Sequence, residues 1–156
     1  MSTYKTGIAV IGGGPAGYVA AIRAAQLGGE VTLVEKEKLG GVCLNVGCIP
    51  TKAILRSCEI LTFIKNAKEF GLEAGEARIN LSQLMTRKKR IVARLVGGVD
   101  YLLKKNKIQV IKGEARFVDT STLEIKGEEE KAIKADKIII ATGSYPASFP
   151  LDGIDL

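Results

Sequence analysis

The sequence predicts an α/β domain: four parallel strands in the order 3-2-1-4, helices on both faces of the sheet, right-handed crossovers, and a three-stranded antiparallel meander packed at one side. Three observations carry this. The N-terminal stretch TGIAVIGGGPAGYVAAIRAAQLGGEVTLVEKE reads strand, glycine turn, helix, strand. Helical patterns then fill the chain as far as the apolar run KIQVIKGEA, and a second apolar run, DKIIIATGS, lies close to the end. At 156 residues, 46% hydrophobic and 26% charged, the chain is long enough to bury a core and too apolar to stay disordered.

In the first unit an apolar run ends at a glycine turn, an alanine-rich amphipathic segment follows, and a β-branched run closes at Glu35. Gly12, Gly14 and Gly17 fit G-x-G-x-x-G at the strand-to-helix junction. The first permits the tight turn, the second lets the backbone approach a pyrophosphate, and the third lets helix and strand pack closely. The helix N-terminus beyond them offers free N–H groups to phosphate. Glu35, at the carboxyl end of the second strand, is placed to accept hydrogen bonds from the hydroxyls of an adenosine ribose and to repel a phosphate there. The unit therefore predicts a Rossmann-like dinucleotide site.

GGVCLNVGCIPTK, from Gly40 to Lys52, comes next. It places Cys43 and Cys48 five positions apart, with Gly47 between them and Pro50 suited to the first turn of a helix. Across an irregular helical turn the two sulfurs could form a small-loop disulfide. So short a loop constrains the unfolded chain little, which favours reversible chemistry over a stabilising role. A helix N-terminus and Lys52 nearby would favour thiolate over thiol. Structural zinc and two unpaired thiols are the competing readings. Zinc is short of ligands, because the chain has no histidine and only one further cysteine. That cysteine, Cys58, falls on the apolar stripe Ile54, Cys58, Leu61, Ile64 and reads as core.

A long helix follows over LSQLMTRKKRIVARLVGGVDYLLKKN, with apolar positions at Leu84, Ile91, Leu95, Val99 and Leu102. Its RKKR run, Arg87 to Arg90, accounts for much of the +6 net charge and reads as a solvated helix face in preference to a polyanion site, so no nucleic-acid partner is expected. KIQVIKGEA reads as the third parallel strand. Runs at 115–118, 123–126 and 132–135, separated by turn-like DTST and charged KGEEEK, read as the meander. DKIIIATGS reads as a central strand buried on both faces, turning at Gly143. YPASFP and LDGIDL read as a proline-bearing linker. The opening MSTYKTGIAVIGGG lacks the features of a signal peptide and the apolar runs are strand-length, so the expectation is a cytoplasmic protein with no membrane span.

The glycine turn with Glu35, followed by GGVCLNVGCIPTK, resembles the flavin-dependent disulfide reductases. The likeness continues through GGVDYLLKKNKIQVIKGEARF and IIIATGS, and so covers essentially the whole chain. In CLNVGCIP, Leu44 and Ile49 match the branch of the family that oxidises dihydrolipoamide. The glutathione and mercuric reductases usually read Val-Asn-Val-Gly-Cys-Val-Pro, and they remain the alternative, beside a stand-alone FAD-binding or thiol-sensing module. Two positions depart from the common pattern: Val42 stands where threonine is usual, removing a hydroxyl that could bond the flavin pyrophosphate, and Thr51 stands for serine.

The resemblance implies FAD as cofactor, with Glu35 on its adenosine ribose and the backbone around Gly113 and Ala115 against its adenine. It implies that Cys43 exchanges with the dithiol substrate, that Cys48 lies against the isoalloxazine ring as the charge-transfer thiolate, and that Lys52 tunes the ring. Gly12, Gly14, Pro15, Ala16, Gly17, Lys36, Gly41, Val42, Gly47, Ala141, Thr142, Gly143 and Ser144 complete the implied cofactor-binding set; no metal is implied. NAD is the final acceptor in the complete enzyme. The implied partners are a lipoyl domain, from a 2-oxoacid dehydrogenase or glycine-cleavage complex, and a second subunit in a homodimer. On the same resemblance, residues 1–147 are the first, larger segment of the FAD-binding domain and 148–156 begin a linker toward an NAD-binding domain. The family plan then returns to the FAD domain and ends in a dimerisation domain with a catalytic histidine. The expectation is that this chain alone does not complete turnover.

Overall fold

The computed structural model describes residues 2–127, 131–147, 150–151 and 153. Strand β1 (Ser2–Ile11) leads into helix α1 (Pro15–Gln26) and strand β2 (Val31–Glu35). The short helix α2 (Gly41–Asn45) and the longer α3 (Cys48–Lys65) follow, then a 3-10 turn (Ala67–Phe70) and α4 (Leu81–Lys105). Four strands complete the fold: β3 (Gln109–Lys112), β4 (Glu114–Phe117), β5 (Thr122–Lys126) and β6 (Lys131–Ile140).

Among the described residues these strands form one six-stranded sheet in the order β3-β2-β1-β6-β5-β4. β1 pairs in parallel with β2 on one side and β6 on the other, and β2 pairs in parallel with β3. The parallel part thus has the expected order 3-2-1-4, with β6 as its fourth strand. The run at 132–135 and the central strand are, however, one continuous element. The first half of β6 pairs antiparallel with β5 while its whole length pairs with β1, so the antiparallel strands continue the sheet.

Side-chain alternation divides the core in two. Val10, Val31 and Leu33 point to the face covered by the helices, where Ala21 of α1, Leu44 of α2 and Val99 and Leu103 of α4 pack against them. Ala9, Ile11, Val34 and Ile111 point the other way and meet Leu123, Ile125, Ile133 and Ala135 of the curled-over β5 and β6. Helices on both faces were expected; the structure has them on one, with strands covering the other. The reason is local. The chain leaves β3 through a single residue, Gly113, so the hairpin β4-β5, instead of a helix, makes the crossover to β6. Close packing there leaves Gly113 against Ile125 and Lys126.

Three further expectations are corrected. β6 is not buried on both faces: Lys137 is exposed and Ile140 is 65% exposed, in the part of the strand that, among the described residues, extends beyond its pairing with β5 at 131–134. Cys58 is exposed on α3, not in the core, since that helix reaches the interior near its N-terminus, through Ile49, Pro50 and Ala53. On α4 the core stripe is Val96, Val99 and Leu103, one position away from the exposed Leu95 and Leu102. α4 is capped by Asn80, whose side chain accepts the Gln83 N–H at 3.0 Å, and it ends on Lys104 and Lys105, cations that suit a helix C-terminus. Residues 128–130 of the charged KGEEEK and much of the stretch 148–156, expected as linker, lie outside the described residues.

Candidate functional site

The parallel strands converge at their carboxyl ends. Gly12 follows β1 and donates its N–H to Val34 O at 2.8 Å, Ala141 follows β6 and donates to Ile11 O at 2.8 Å, and Gly113 follows β3 and donates to Glu35 O at 3.0 Å. Three strand ends, from β1, β3 and β6, are thereby tied to their neighbours.

Between β1 and α1 the turn is built for close approach. Gly12 has φ +104°, a left-handed conformation that only glycine adopts freely. A Cβ on Gly17 would collide with the Gly12 carbonyl, and one on Gly12 with the Ala141 carbonyl. Gly41, at φ +57°, backs onto the Gly14 Cα, and Gly40 N–H donates to Gly13 O at 2.8 Å, so the loop before α2 lies directly on the turn. α1 begins at Pro15 with Gly14 as its cap and no acidic residue in its first turn, which leaves an uncompensated positive end. Pro15 and Ala16 are exposed there.

Glu35 is fixed by two backbone donors. Its Oε2 accepts the Gly13 N–H at 2.6 Å and its Oε1 the Glu37 N–H at 2.6 Å. Beside it opens a cleft of about 250 Å³. Of the residues singled out from the sequence, the cleft gathers Gly12, Glu35, Lys36, Gly113, Ala115, Thr142 and Gly143, drawn from four separate places in the chain. Ala141 sits just beneath, against Gly12 and Gly17. Ser144 is exposed and does not line the cleft. Four lining residues that the sequence did not point to are Ile11, Val34, Glu114 and Tyr145. Tyr145 falls in a stretch that reads as linker, and its aromatic ring among prolines and small residues was the only signal available.

Cys43 and Cys48 are on two helices that meet at a break. α2 ends when Val46 and Gly47 both donate to Val42 O, at 3.0 and 2.7 Å, and α3 restarts at Cys48, two residues before Pro50. Asn45 secures α2 by donating to Leu39 O and Gly41 O, at 3.0 and 2.9 Å. Thr51 donates its hydroxyl to Gly47 O at 2.7 Å, so the departure from serine keeps a working hydroxyl. Val42 is 69% exposed.

Both cysteines are free thiols, Cys43 half-buried and Cys48 exposed. The hydrogen bond to the Cys48 sulfur, and then burial, hold the Cys43 thiol above its ordinary pKa; the positive charge of Lys52 acts in the opposite direction and is outweighed. Lys52 thus acts in the direction expected from the sequence, and at Cys43 it is outweighed by the neighbouring sulfur. Lys52 is exposed on the first turns of α3. In the basic cluster, Arg87 donates to Ala53 O at 2.9 Å, which ties α4 to α3 and gives one of these cations a structural task. Among the described residues no helix is long and apolar enough to cross a membrane.

A family model described as pyridine nucleotide-disulphide oxidoreductase matches residues 6–156. The chain belongs to this family. Similar curated members of the pyridine nucleotide-disulphide oxidoreductases include the dihydrolipoyl dehydrogenase of Bacillus subtilis, 51% identical over 151 residues that make up 95% of this chain and 33% of the relative. That of Geobacillus stearothermophilus is 47% identical over 147 residues, 94% of this chain and 31% of the relative. The mitochondrial enzyme of Schizosaccharomyces pombe is 48% identical over 153 residues, 95% of this chain and 30% of the relative. The chain therefore spans about a third of the length of these relatives.

Proposed function

We propose that this chain supplies the flavin-binding and redox-disulfide part of a dihydrolipoamide dehydrogenase. The observation that carries the reading is the convergence of the glycine turn, Glu35, Gly113 and Thr142–Gly143 on one cleft, with the cysteine pair at the junction of α2 and α3, entered through the Gly40–Gly41 loop that lies on the same turn. The glycine cradle, the free N-terminus of α1 and the fixed Glu35 carboxylate fit the pyrophosphate and ribose of FAD. When bound, FAD supplies a two-electron acceptor.

The chain's own residues have distinct tasks in this reading. Gly12, Gly14, Gly17 and Gly41 leave room for the phosphates, Pro15 and Ala16 present the first turn of α1, and Glu35 and Lys36 flank the ribose. Gly113, Ala115, Ala141, Thr142 and Gly143 border the adenosine end, with Ser144 just outside the cleft, while Val42, Gly47 and Lys52 border the flavin end. In the oxidised protein a Cys43–Cys48 disulfide is attacked at Cys43 by one thiolate of dihydrolipoamide, and Cys48 leaves as thiolate. The second substrate thiol, on losing its proton, then displaces Cys43 from the mixed disulfide. The products are lipoamide disulfide and the reduced pair, two electrons having passed to the protein.

Transfer to NAD, delivery by a lipoyl domain and a homodimeric arrangement belong to the whole protein in this reading, in the cytoplasm. Residues 1–147 are the larger segment of its FAD-binding domain, and 148–156 lead toward an NAD-binding domain.

An absorbance spectrum tests the proposal. The purified chain, reconstituted with FAD, is expected to show a flavin band and to gain a long-wavelength shoulder on adding a limiting amount of dithiol, the sign of a Cys48 thiolate against the ring. A chain that binds no FAD at any concentration, or that binds it and shows no shoulder, overturns the reading. Lipoamide-dependent NADH formation by this chain alone, at the rate of a complete enzyme, would overturn the view that it does not turn over by itself.

A further inference from the structure

Tyr145 stands where no regular element needs it. It lies five positions beyond β6, past a turn at Gly143 with φ +80°, and its side chain is 80% exposed. Yet the ring is held. Lys36 Nζ donates to the Tyr145 hydroxyl at 3.0 Å and sits 5.7 Å from the ring centroid. Lys36 directly follows Glu35, and both line the cleft that Tyr145 also borders, with Ile11 and Val34 as its apolar floor. A flat apolar ring, fixed at the rim of a cleft with an apolar floor and a ribose-directed carboxylate beside it, has the form of a base-binding wall.

We propose that Tyr145 contacts the adenosine end of the cofactor, its ring stacking on the purine, and that Lys36 is the positioning residue that holds the ring over the cleft. The inference rests on the FAD reading above. The hydroxyl in turn holds the Lys36 ammonium above its ordinary pKa. Stacking of a base on an aromatic side chain accounts for about tenfold in affinity or more.

The test is calorimetric titration of ADP and of FAD into the chain and its variants. Tyr145→Ala is expected to bind both about tenfold more weakly or worse, with the unfolding midpoint unchanged because the side chain is exposed. Tyr145→Phe keeps the ring and loses a few-fold. Lys36→Met matches Tyr145→Phe, the double variant Lys36→Met/Tyr145→Phe binds no worse than either alone because one bond is shared, and Lys36→Arg restores affinity. If the native chain binds FAD and Tyr145→Ala binds ADP equally well, this inference falls and the FAD reading stands. It falls as well if affinity is lost only together with the fold. If the native chain binds neither FAD nor ADP, both fall.

Discussion

The Glu35 carboxylate clasps the backbone on two sides, taking the Gly13 N–H on Oε2 and the Glu37 N–H on Oε1, each at 2.6 Å. The residue that faces the proposed ribose therefore also fixes the glycine turn beside it. Hydrogen bonds to an ionised acceptor contribute about 1.5–3 kcal/mol when sheltered, and less where water competes. Glu35→Ala is expected to lower the unfolding free energy by about 1–2 kcal/mol and to weaken FAD binding, with Glu35→Gln between it and the native protein. Urea unfolding checks the first; an unchanged midpoint would mean that water replaces both bonds at no cost.

Gly17 offers a sharper test of the turn. An added methyl group meets the Gly12 carbonyl oxygen, which is backbone and cannot rotate away. Overpacking of this kind costs about 1–3 kcal/mol, and here it separates α1 from β1. Gly17→Ala should unfold at distinctly lower urea than native. Gly97→Ala, at a helical position where an added Cβ meets nothing, should unfold at the same concentration or slightly higher, since alanine favours helix.

The thiol pair predicts a pH effect whose sign can be stated. Cys43 holds its proton above the ordinary value, first because its S–H bonds the Cys48 sulfur. Removing that partner by Cys48→Ala should shift the midpoint of Cys43 alkylation to lower pH, so that modification at pH 8 becomes several-fold faster. Lys52→Met should move it the other way. Peptide mapping after iodoacetamide treatment separates Cys43 from the exposed Cys48 and Cys58. For stability, a folded value above the unfolded one means a contribution present at neutral pH and lost as pH rises through the folded value. A Cys43 midpoint that stays in place in both variants would remove this account of the site.

These features were unequally legible in the sequence. The first βαβ unit and its glycine spacing follow from local geometry, since each glycine answers a contact within the unit or with an adjacent strand end. The cysteine break was also readable, because Gly47 and Pro50 are local signals. The arrangement of the sheet faces was not. Leu123 and Ile125 alternate like any half-buried strand, and only the tight exit at Gly113 decides that they fold over Ala9 and Val34, in place of a helix. Cys58 failed for a related reason. Helical spacing identifies an apolar stripe but not whether another element covers it. Tyr145 offered no signal beyond its aromatic ring, because its place depends on Lys36, more than a hundred positions away.

Asp119 governs the turn that makes the strand-covered face. Its Oδ1 accepts from the Ser121 and Thr122 backbone N–H groups at 2.7 and 2.8 Å and from the Ser121 hydroxyl at 3.0 Å. These bonds, led by the Ser121 N–H, hold its carboxyl below the usual value. A depressed carboxylate contributes stability above its unfolded pKa of about 3.9, and that contribution is lost as pH falls through the folded value. Asp119→Ala should therefore destabilise the protein at pH 6, with a gap to native that narrows toward pH 2. Amide exchange in β4 and β5 reports the same loss locally. A gap that is independent of pH would assign the effect to something other than the carboxylate.

The outer side of α3 carries the last prediction. Leu55, Ile60 and Phe63 are 52%, 45% and 59% exposed on one helix, and Ile140 stands 65% exposed at the end of β6. Apolar side chains left in water at this density favour association, since burying one of this size is worth about 1.5–3 kcal/mol. The isolated chain should sediment with a coefficient that rises with concentration. Phe63→Glu and Ile140→Lys separate the two surfaces: a charge on the helix abolishes association through α3, while a lysine on the strand blocks edge pairing and leaves the helix contact intact. A native chain that stays monomeric at high micromolar concentration would show that neither surface is sticky enough to act alone.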